Sequence, residues 1–520
     1  MLVKKVLAEV GDVVLDGEHL TLSQIEAVCR SRAKVSIAGG MKERLLASRN
    51  VVQKALEREE VVYGITTGFG KFSEVFISSE DRLQLQRNLI LSHAGGVGEP
   101  FPREVVRGII LLRINALLRG FSGVRLELVN LLVGMLNADI CPLIPCQGSV
   151  GASGDLAPLA HLGLTVIGEG EVLHNGVGIP AKNALESAGL TPLVLEAKEG
   201  LALVNGTCAM ASMAVLALQD AVKLAKTADI AGAMSLEALM GTDRFLHPLV
   251  QVARPFPGQS ATAENLTRMV RGSKLIETHR KCQKVQDAYS LRCMPQVHGT
   301  VKETIRQVRS VLEVEVNAAT DNPLIFPEEE LIISAGNFHG QPLSMACDIL
   351  KIGLTILSNI SERRVDRLMN PDLSGLPAFL AEKGGMNSGL MLAQYTAASL
   401  VAENKILASP SSVDSIPTSA QQEDFVSMGT TAARHARQVV KNLESVLAIE
   451  ILAAAQGLDF RRPSSFGPGT EAAHRTVREA VPHLKEDRIV ALDIEKVGKV
   501  IRSGALVRSV ESVTGPLEVS

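Results

Sequence analysis

Apolar positions along the chain fall into two regimes. Up to about residue 200 they come in short runs divided by turn residues. Asp16-Gly17 between Val13-Val14-Leu15 and Glu18-His19-Leu20 predicts a hairpin, and Asn175-Gly176 between Val172-Leu173 and Val177 predicts a second. Thr21 precedes Gln24 by a capping-box spacing and opens a short helix. Ser78 and Asp81 open another, carrying Leu83, Leu85 and Leu89. Pro102 and Gly120 bracket a helix through Val105, Val106, Ile109, Leu112 and Leu117. Beyond about residue 200, long proline-free, alanine-rich stretches take over: Leu193–His247, Leu343–Asn370, Ala378–Ser409 and Thr418–Arg462. Each has room for a helix longer than the usual globular length. Their apolar positions are too broad for one surface stripe, as in helices buried on several sides of a bundle. The chain is therefore expected to be mainly α. A mixed α+β region spans 1–200, and a long-helix bundle with a C-terminal helical region spans 201–520.

Composition sharpens this picture. The 520 residues include no Trp and three Tyr, with 3% aromatic against 46% hydrophobic residues, so the core rests on aliphatic side chains. The chain offers few aromatic faces for stacking bases, and its net charge of −3 lacks the electrostatic footprint of a nucleic-acid binder. Seven Cys without C-x-x-C spacing read as small buried residues in a reducing compartment. Residues 1–17 interrupt their apolar stretches with charge and contain no signal-peptide core. The charge-free run Gly200–Gln219 holds Asn205, Gly206 and Thr207 near its start, which makes it a site loop leading into a buried helix rather than a membrane span. A soluble, cytoplasmic protein is expected. The eleven His show no ligand spacing and H-E-x-x-H is absent, so no metal site is expected.

Chemistry is concentrated in glycine-rich polar strings. Gly64-Ile65-Thr66-Thr67-Gly68-Phe69-Gly70-Lys71 is not a Walker A loop, because Phe72 stands where a magnesium-binding hydroxyl is needed. It also fails the dinucleotide pattern, with Ser73 in place of the third Gly. Alone, it reads as a structural turn holding Tyr63. The string Gly148-Ser149-Val150-Gly151-Ala152-Ser153-Gly154-Asp155 is rich in small residues that let the chain fold back on itself. In a constrained turn, the nitrogen of Gly154 can attack the carbonyl of Ala152. Loss of two waters, one involving the Ser153 hydroxyl, then leaves an electrophilic methylidene-imidazolone (MIO). The tripeptide alone carries no weight as a signal.

The longer string, through His161, resembles the prosthetic-group loop of the aromatic amino acid ammonia-lyase family. The resemblance runs over nearly the whole chain. It includes Tyr63–Gly70, Ser92-His93-Ala94, Asn205-Gly206-Thr207 and Gln286-Asp287-Ala288-Tyr289-Ser290-Leu291-Arg292. Asp321-Asn322-Pro323, Gly336-Asn337-Phe338-His339-Gly340 and Asp414–Asp424 follow in the family's order. The resemblance implies an L-aspartase/fumarase-like fold and a homotetramer whose active sites combine several subunits. It also implies an MIO formed from Ala152, Ser153 and Gly154, with no external cofactor. In the roles it implies, Tyr63 is the general base, and Asn205 and Tyr289 position the MIO and the substrate amine. Arg292 holds the carboxylate, Gln286 adds a hydrogen bond nearby, and Phe338 packs against the MIO. A phenol with an ordinary pKa of about 10 is a weak base near neutrality, so the site must lower it or deprotonate it during the step.

The contexts of His93 and Glu423 resemble the histidine-acting branch, which implies conversion of L-histidine to trans-urocanate and ammonia. Both residues would face the substrate imidazole; taken alone, they read as a core histidine and a structural ion-pair partner. The sequence departs from that branch at Phe425, where His is usual, and at Gln421, where Asn is usual. The alternatives are an aminomutase giving β-histidine, a tyrosine or phenylalanine lyase, and a homologue without catalysis.

Overall fold

Each of the four long apolar stretches contains a long helix, and three of these helices are extensively buried, but the one at Met391–Leu407 buries only Ala393, Ala397 and Asn404 in the single chain, so the expected burial on several sides is not met there. The computed structural model describes residues 11–174, 177–279 and 285–519. The helices used below are α1 (Arg82–His93), α2 (Arg103–Leu118), α3 (Leu156–Val166), α4 (Cys208–Ala238), α5 (Met294–Glu315), α6 (Gln341–Met369), α7 (Met391–Leu407) and α8 (Gly429–Asp459). Helix α5 falls outside the proline-free stretches because Pro295 lies in its first turn, where a missing N–H is tolerated. Helices α4 and α6 are long and apolar enough to cross a membrane, but their most apolar windows are 78% and 72% buried within the protein.

The chain groups into two compact units. The first combines the segment ending at Leu216 with Ser310–Asp348 and Pro410–Arg434; the second combines Ala217–Arg309, Ile349–Ser409 and the segment from His435 onward. The division falls within α4, α5, α6 and α8.

The first unit carries all the described strands, in small sheets. β1 (Val13–Leu15) pairs in parallel with β2 (Val35–Ile37). The expected hairpin at Asp16-Gly17 is therefore not formed. The Asp16 carboxylate instead accepts the backbone N–H groups of Glu18 and His19, which closes a turn and sends the chain on into the helix capped by Thr21. The capping box at Thr21 and Gln24 is present as expected. β3 (Val97–Pro100) pairs with β5 (Pro145–Gln147), β4 (Cys141–Pro142) pairs with β6 (Glu171–His174), and β6 pairs antiparallel with β7 (Val177–Pro180). The expected turn residues Asn175-Gly176 lie outside the described residues. β8 (Leu324–Phe326) pairs with β9 (Leu331–Ile333). Helix α2 is buried along its whole length and forms the spine of this unit.

Among the described residues, the regular elements of the second unit are all helices. Its interior holds a polar network around Asp229, which pairs with Lys302 at 2.7 Å and His298 at 2.9 Å, and around Glu450, which holds Arg364 and Ser361. Buried ions persist only where hydrogen bonds replace lost hydration, and these carboxylates are fully partnered.

Candidate active site

Tyr63 sits in a loop stiffened from beneath. Thr66 and Thr67 are buried: Thr66 Oγ1 accepts the N–H of Val62 and donates to Glu60 O, and Thr67 Oγ1 accepts the N–H of Gly64. Gly64 has φ +66°, and a Cβ there would come within 2.3 Å of Leu201 Cδ2, so only glycine lets the loop lie this close. The Tyr63 hydroxyl oxygen accepts the N–H of Gly70 at 3.2 Å. Burial and the nearby Glu423 carboxylate push the Tyr63 phenol up, and the Gly70 N–H works the other way. The lowered phenol that a base needs is thus not supplied by this chain's own surroundings.

The string Gly151–Gly154 reverses direction, with the Gly154 N–H donating to Gly151 O at 3.3 Å. Ser153 is left-handed at φ +49° and Gly154 at +86°. This backbone is strained for a serine and turns the Gly154 N–H back toward Gly151. The turn is clamped from two sides. Gly206 N–H donates to Ser153 O at 3.1 Å, and Asp155 N–H donates to Gly206 O at 2.7 Å. The fully buried Asp155 carboxylate accepts the N–H groups of Ala209 and Met210 at the start of α4, and the Thr430 hydroxyl at 2.6 Å. Burial pushes Asp155 up to about 6 against these hydrogen bonds.

Asn205 ends the short helix Glu199–Val204 in an extended conformation. Its Oδ1 is buried without a partner, an acceptor held ready for a group that is not part of the folded chain. Glu423 lies on a tight turn whose preceding residues Ser419, Ala420 and Gln421 all have positive φ. Its Oε2 accepts the Thr418 hydroxyl at 2.9 Å and its Oε1 accepts the Ser153 hydroxyl at 3.3 Å. His93, at the end of α1, has its Nδ1 3.0 Å from Ser92 Oγ. Burial lowers its pKa, so the imidazole is neutral near pH 7, against a smaller opposite pull from Glu423.

Tyr63, His93, Ser153, Asn205 and Glu423 line one cavity of about 470 Å³ in the first unit, together with Phe69, Leu89, Leu156, Leu201 and Val204. The volume suits an amino acid, and its apolar walls carry a few converging polar groups. Phe338 is half-buried in the same unit and is not among the residues lining the cavity. Gln286, Tyr289 and Arg292 belong to the second unit. There Arg292 lies over the Tyr289 ring at 4.6 Å and donates to Asp287 O, and Tyr289 is 71% exposed. Phe425 does not line the cavity either; its ring stacks on His339 at 5.9 Å, and His339 Nε2 donates to its carbonyl at 3.2 Å.

Several contributors escaped the sequence reading. Thr418 anchors the carboxylate of Glu423. Lys71 and Ser419 line the cavity. Arg113 donates to the backbone oxygen of Asn205. Arg113 lies in a helix that also buries Arg107 and Asn115, so its charge alone does not single it out.

A mainly helical fold, a strained Ala-Ser-Gly turn and this polar cavity together point to a carbon–nitrogen lyase. The chain belongs to the aromatic amino acid lyase family, whose model matches residues 20–479. It is similar to the histidine ammonia-lyase of Myxococcus xanthus, 54% identical over 502 residues that cover 96% of this chain and 99% of that one. Among solved structures it resembles histidine ammonia-lyase from Trypanosoma cruzi, with 44% identity, a TM-score of 0.90 and coverage of 97% and 96% of the two chains. It also resembles tyrosine aminomutase from Streptomyces globisporus, with 38% identity, a TM-score of 0.92 and coverage of 98% and 100%. The fold is the fumarase-like helical fold of these neighbours.

Proposed function

We propose that this protein is a carbon–nitrogen lyase that converts L-histidine to trans-urocanate and ammonia. The observation that carries the reading is the cavity that brings His93 and Glu423 to Ser153, Tyr63 and Asn205. The residues fit an autocatalytic MIO. Ala152, Ser153 and Gly154 lie in a strained reversal, Gly154 admits no side chain, and Asn205 Oδ1 is an unpartnered buried acceptor beside them. The group would supply the electrophile that makes ammonia a leaving group.

The chain's side chains do the rest. Tyr63 takes the β-proton. Its surroundings favour the neutral phenol, so only the deprotonated form of Tyr63 can accept that proton. The Glu423 carboxylate can accept the N–H of the substrate imidazole, and His93, with one ring nitrogen donating and one accepting, can meet its other nitrogen. A phenyl ring would leave Glu423 Oε1 without a donor while Thr418 still holds Oε2, at a cost of about 1–3 kcal/mol. Arg292 would hold the substrate carboxylate, with Gln286 nearby and Tyr289 and Asn205 beside the amine. Phe338 would complete the apolar wall.

We also propose a homotetramer with shared sites. Ile352 and Ile356 on α6, and Leu392, Tyr395 and Ile406 on α7, are exposed in the single chain, and such apolar faces suit subunit contact. The second reading is an aminomutase, favoured by the similarity to tyrosine aminomutase. Incubation with L-histidine, L-tyrosine and L-phenylalanine, with products identified by NMR, tests both. Urocanate is expected; accumulation of a β-amino acid, or reaction with tyrosine or phenylalanine alone, would overturn the assignment.

A further inference from the structure

Arg113 is completely buried in α2, yet it meets no carboxylate among the described residues. Lys198 and Asp321, also buried, pair with each other at 2.7 Å. The Arg113 guanidinium donates to two backbone carbonyls, Nη1 to Asn205 O and Nη2 to Thr320 O, the latter at 3.1 Å, while its buried Nε has no partner among the described residues. A buried cation without a counter-ion is an expensive choice for a helix spine, where an aliphatic side chain would cost less.

The bond to Asn205 O has a second end. That carbonyl and the Gly206 N–H belong to one peptide group, and the Gly206 N–H donates to Ser153 O at 3.1 Å. A cation on the oxygen of a peptide polarises its N–H and strengthens the hydrogen bond that the N–H makes. The peptide is also held in place. Gly206 has φ +133°, and a Cβ there would lie 2.5 Å from Thr320 O and 2.7 Å from Arg113 Nη1. Arg113, the Asn205–Gly206 peptide and the Ser153 carbonyl therefore form one line of polarised groups.

We propose that Arg113 is a positioning residue for the electrophile, acting through the Asn205–Gly206 peptide on the carbonyl oxygen of Ser153. The proposal rests on the MIO reading above. In the cyclised loop the Ser153 carbonyl is conjugated with the carbon that was Ser153 Cβ. When a nucleophile bonds to that carbon, the carbon–carbon π bond breaks and its electron pair moves onto the Ser153 oxygen. The Gly206 N–H meets that charge as it develops. Donors placed where charge develops are worth about 10²–10³ in rate when removed outright. Here the donor stays and is only weakened, so the expected effect is smaller.

The test uses the full-length protein as Arg113→Gln and Arg113→Lys, with cyanide as a simple nucleophile. Cyanide adds to the same carbon, and the oxygen takes a proton from water. Intact mass reports the loss of two waters, and absorbance of the conjugated group reports cyanide binding without any turnover. Arg113→Gln is expected to keep the mass loss and to bind cyanide about 10-fold more weakly, with kcat falling more than KM rises. Arg113→Lys, which keeps the charge but not the two-carbonyl fork, is expected to fall between it and the unaltered protein. Cyanide affinity unchanged in Arg113→Gln would overturn the proposal. If Arg113→Gln does not fold or does not lose its waters, Arg113→Lys decides: affinity about 3-fold weaker supports the relay, and unchanged affinity overturns it. Absence of the two-water loss from the unaltered protein would instead refute the MIO reading itself.

Discussion

The Ser153 hydroxyl donates to Glu423 Oε1 at 3.3 Å, while Thr418 holds the other carboxylate oxygen at 2.9 Å. Dehydration of Ser153 removes the first of these bonds and leaves the second. Maturation of the loop would therefore hand one oxygen of an already oriented carboxylate to the cavity. Ser153→Ala is expected to abolish turnover and to show the mass of the uncyclised chain. Its fold should persist, because the lost hydrogen bond is worth only about 0.5–1.5 kcal/mol. Near-normal turnover in this variant would refute the assigned electrophile.

Glu423→Gln should retain the two-water mass loss and lower kcat/KM for L-histidine by about 10- to 100-fold, since a charge-assisted hydrogen bond to the imidazole is weakened. It should also move the pH profile. Tyr63 acts as a base only after losing its proton, so activity rises with pH through its pKa. The Glu423 charge raises that pKa. Removing the charge should shift the ascending limb of kcat/KM to lower pH; a limb that stays put would separate the two residues functionally.

Tyr63→Phe keeps the ring and the loop but removes the proton acceptor. Turnover should fall by about 10²–10⁴-fold with the mass loss intact. His93→Leu should raise KM for L-histidine more than a remote surface substitution does. Equal effects would return His93 to the status of a structural residue.

Tyr63 lies in the first unit, and Arg292 in the second half of a motif whose Tyr289 is largely exposed. If several copies combine to make each site, Tyr63→Phe and Arg292→Ala should be nearly inactive separately. Co-assembled, they should regain part of the activity, because some sites then receive one intact copy of each. Light scattering gives the oligomer mass, and no recovery in mixed assemblies would argue for sites built within one chain.

The turn before Glu423 places three consecutive non-glycine residues, Ser419, Ala420 and Gln421, at φ +50°, +52° and +69°. Left-handed backbone costs about 1–2 kcal/mol for such residues, and Asn or Gly relieves part of it. Gln421→Asn and Ala420→Gly are each expected to stabilise the protein by about 0.5–1 kcal/mol, read as a raised melting temperature. A fall in melting temperature would show that the observed side chains contribute contacts worth more than the strain.

Much of this was legible in the sequence because the relevant interactions are local. The capping box at Thr21, the long alanine-rich helices and the glycines of the Ala-Ser-Gly turn follow from short-range geometry, and the cavity residues lie in compact motifs. The Asp16-Gly17 hairpin failed because the Asp16 side chain captured the N–H groups that a strand would have used. Helix α5 was hidden by a proline that its first turn accommodates. Arg113 and Thr320 were out of reach for another reason. They matter through backbone atoms of residues distant in sequence, and backbone carbonyls leave no mark on composition or spacing.

A Cβ at Gly154 would lie 2.1 Å from Gly206 O. The three residues that would become the electrophile are thus moulded by a second strand of chain that presses its own peptide against them. For protein engineering, the tripeptide is not portable. A designed scaffold meant to generate the same group would have to carry both segments as a matched pair, die and casting together, with the Asn205–Gly206 peptide already in register before the first bond closes.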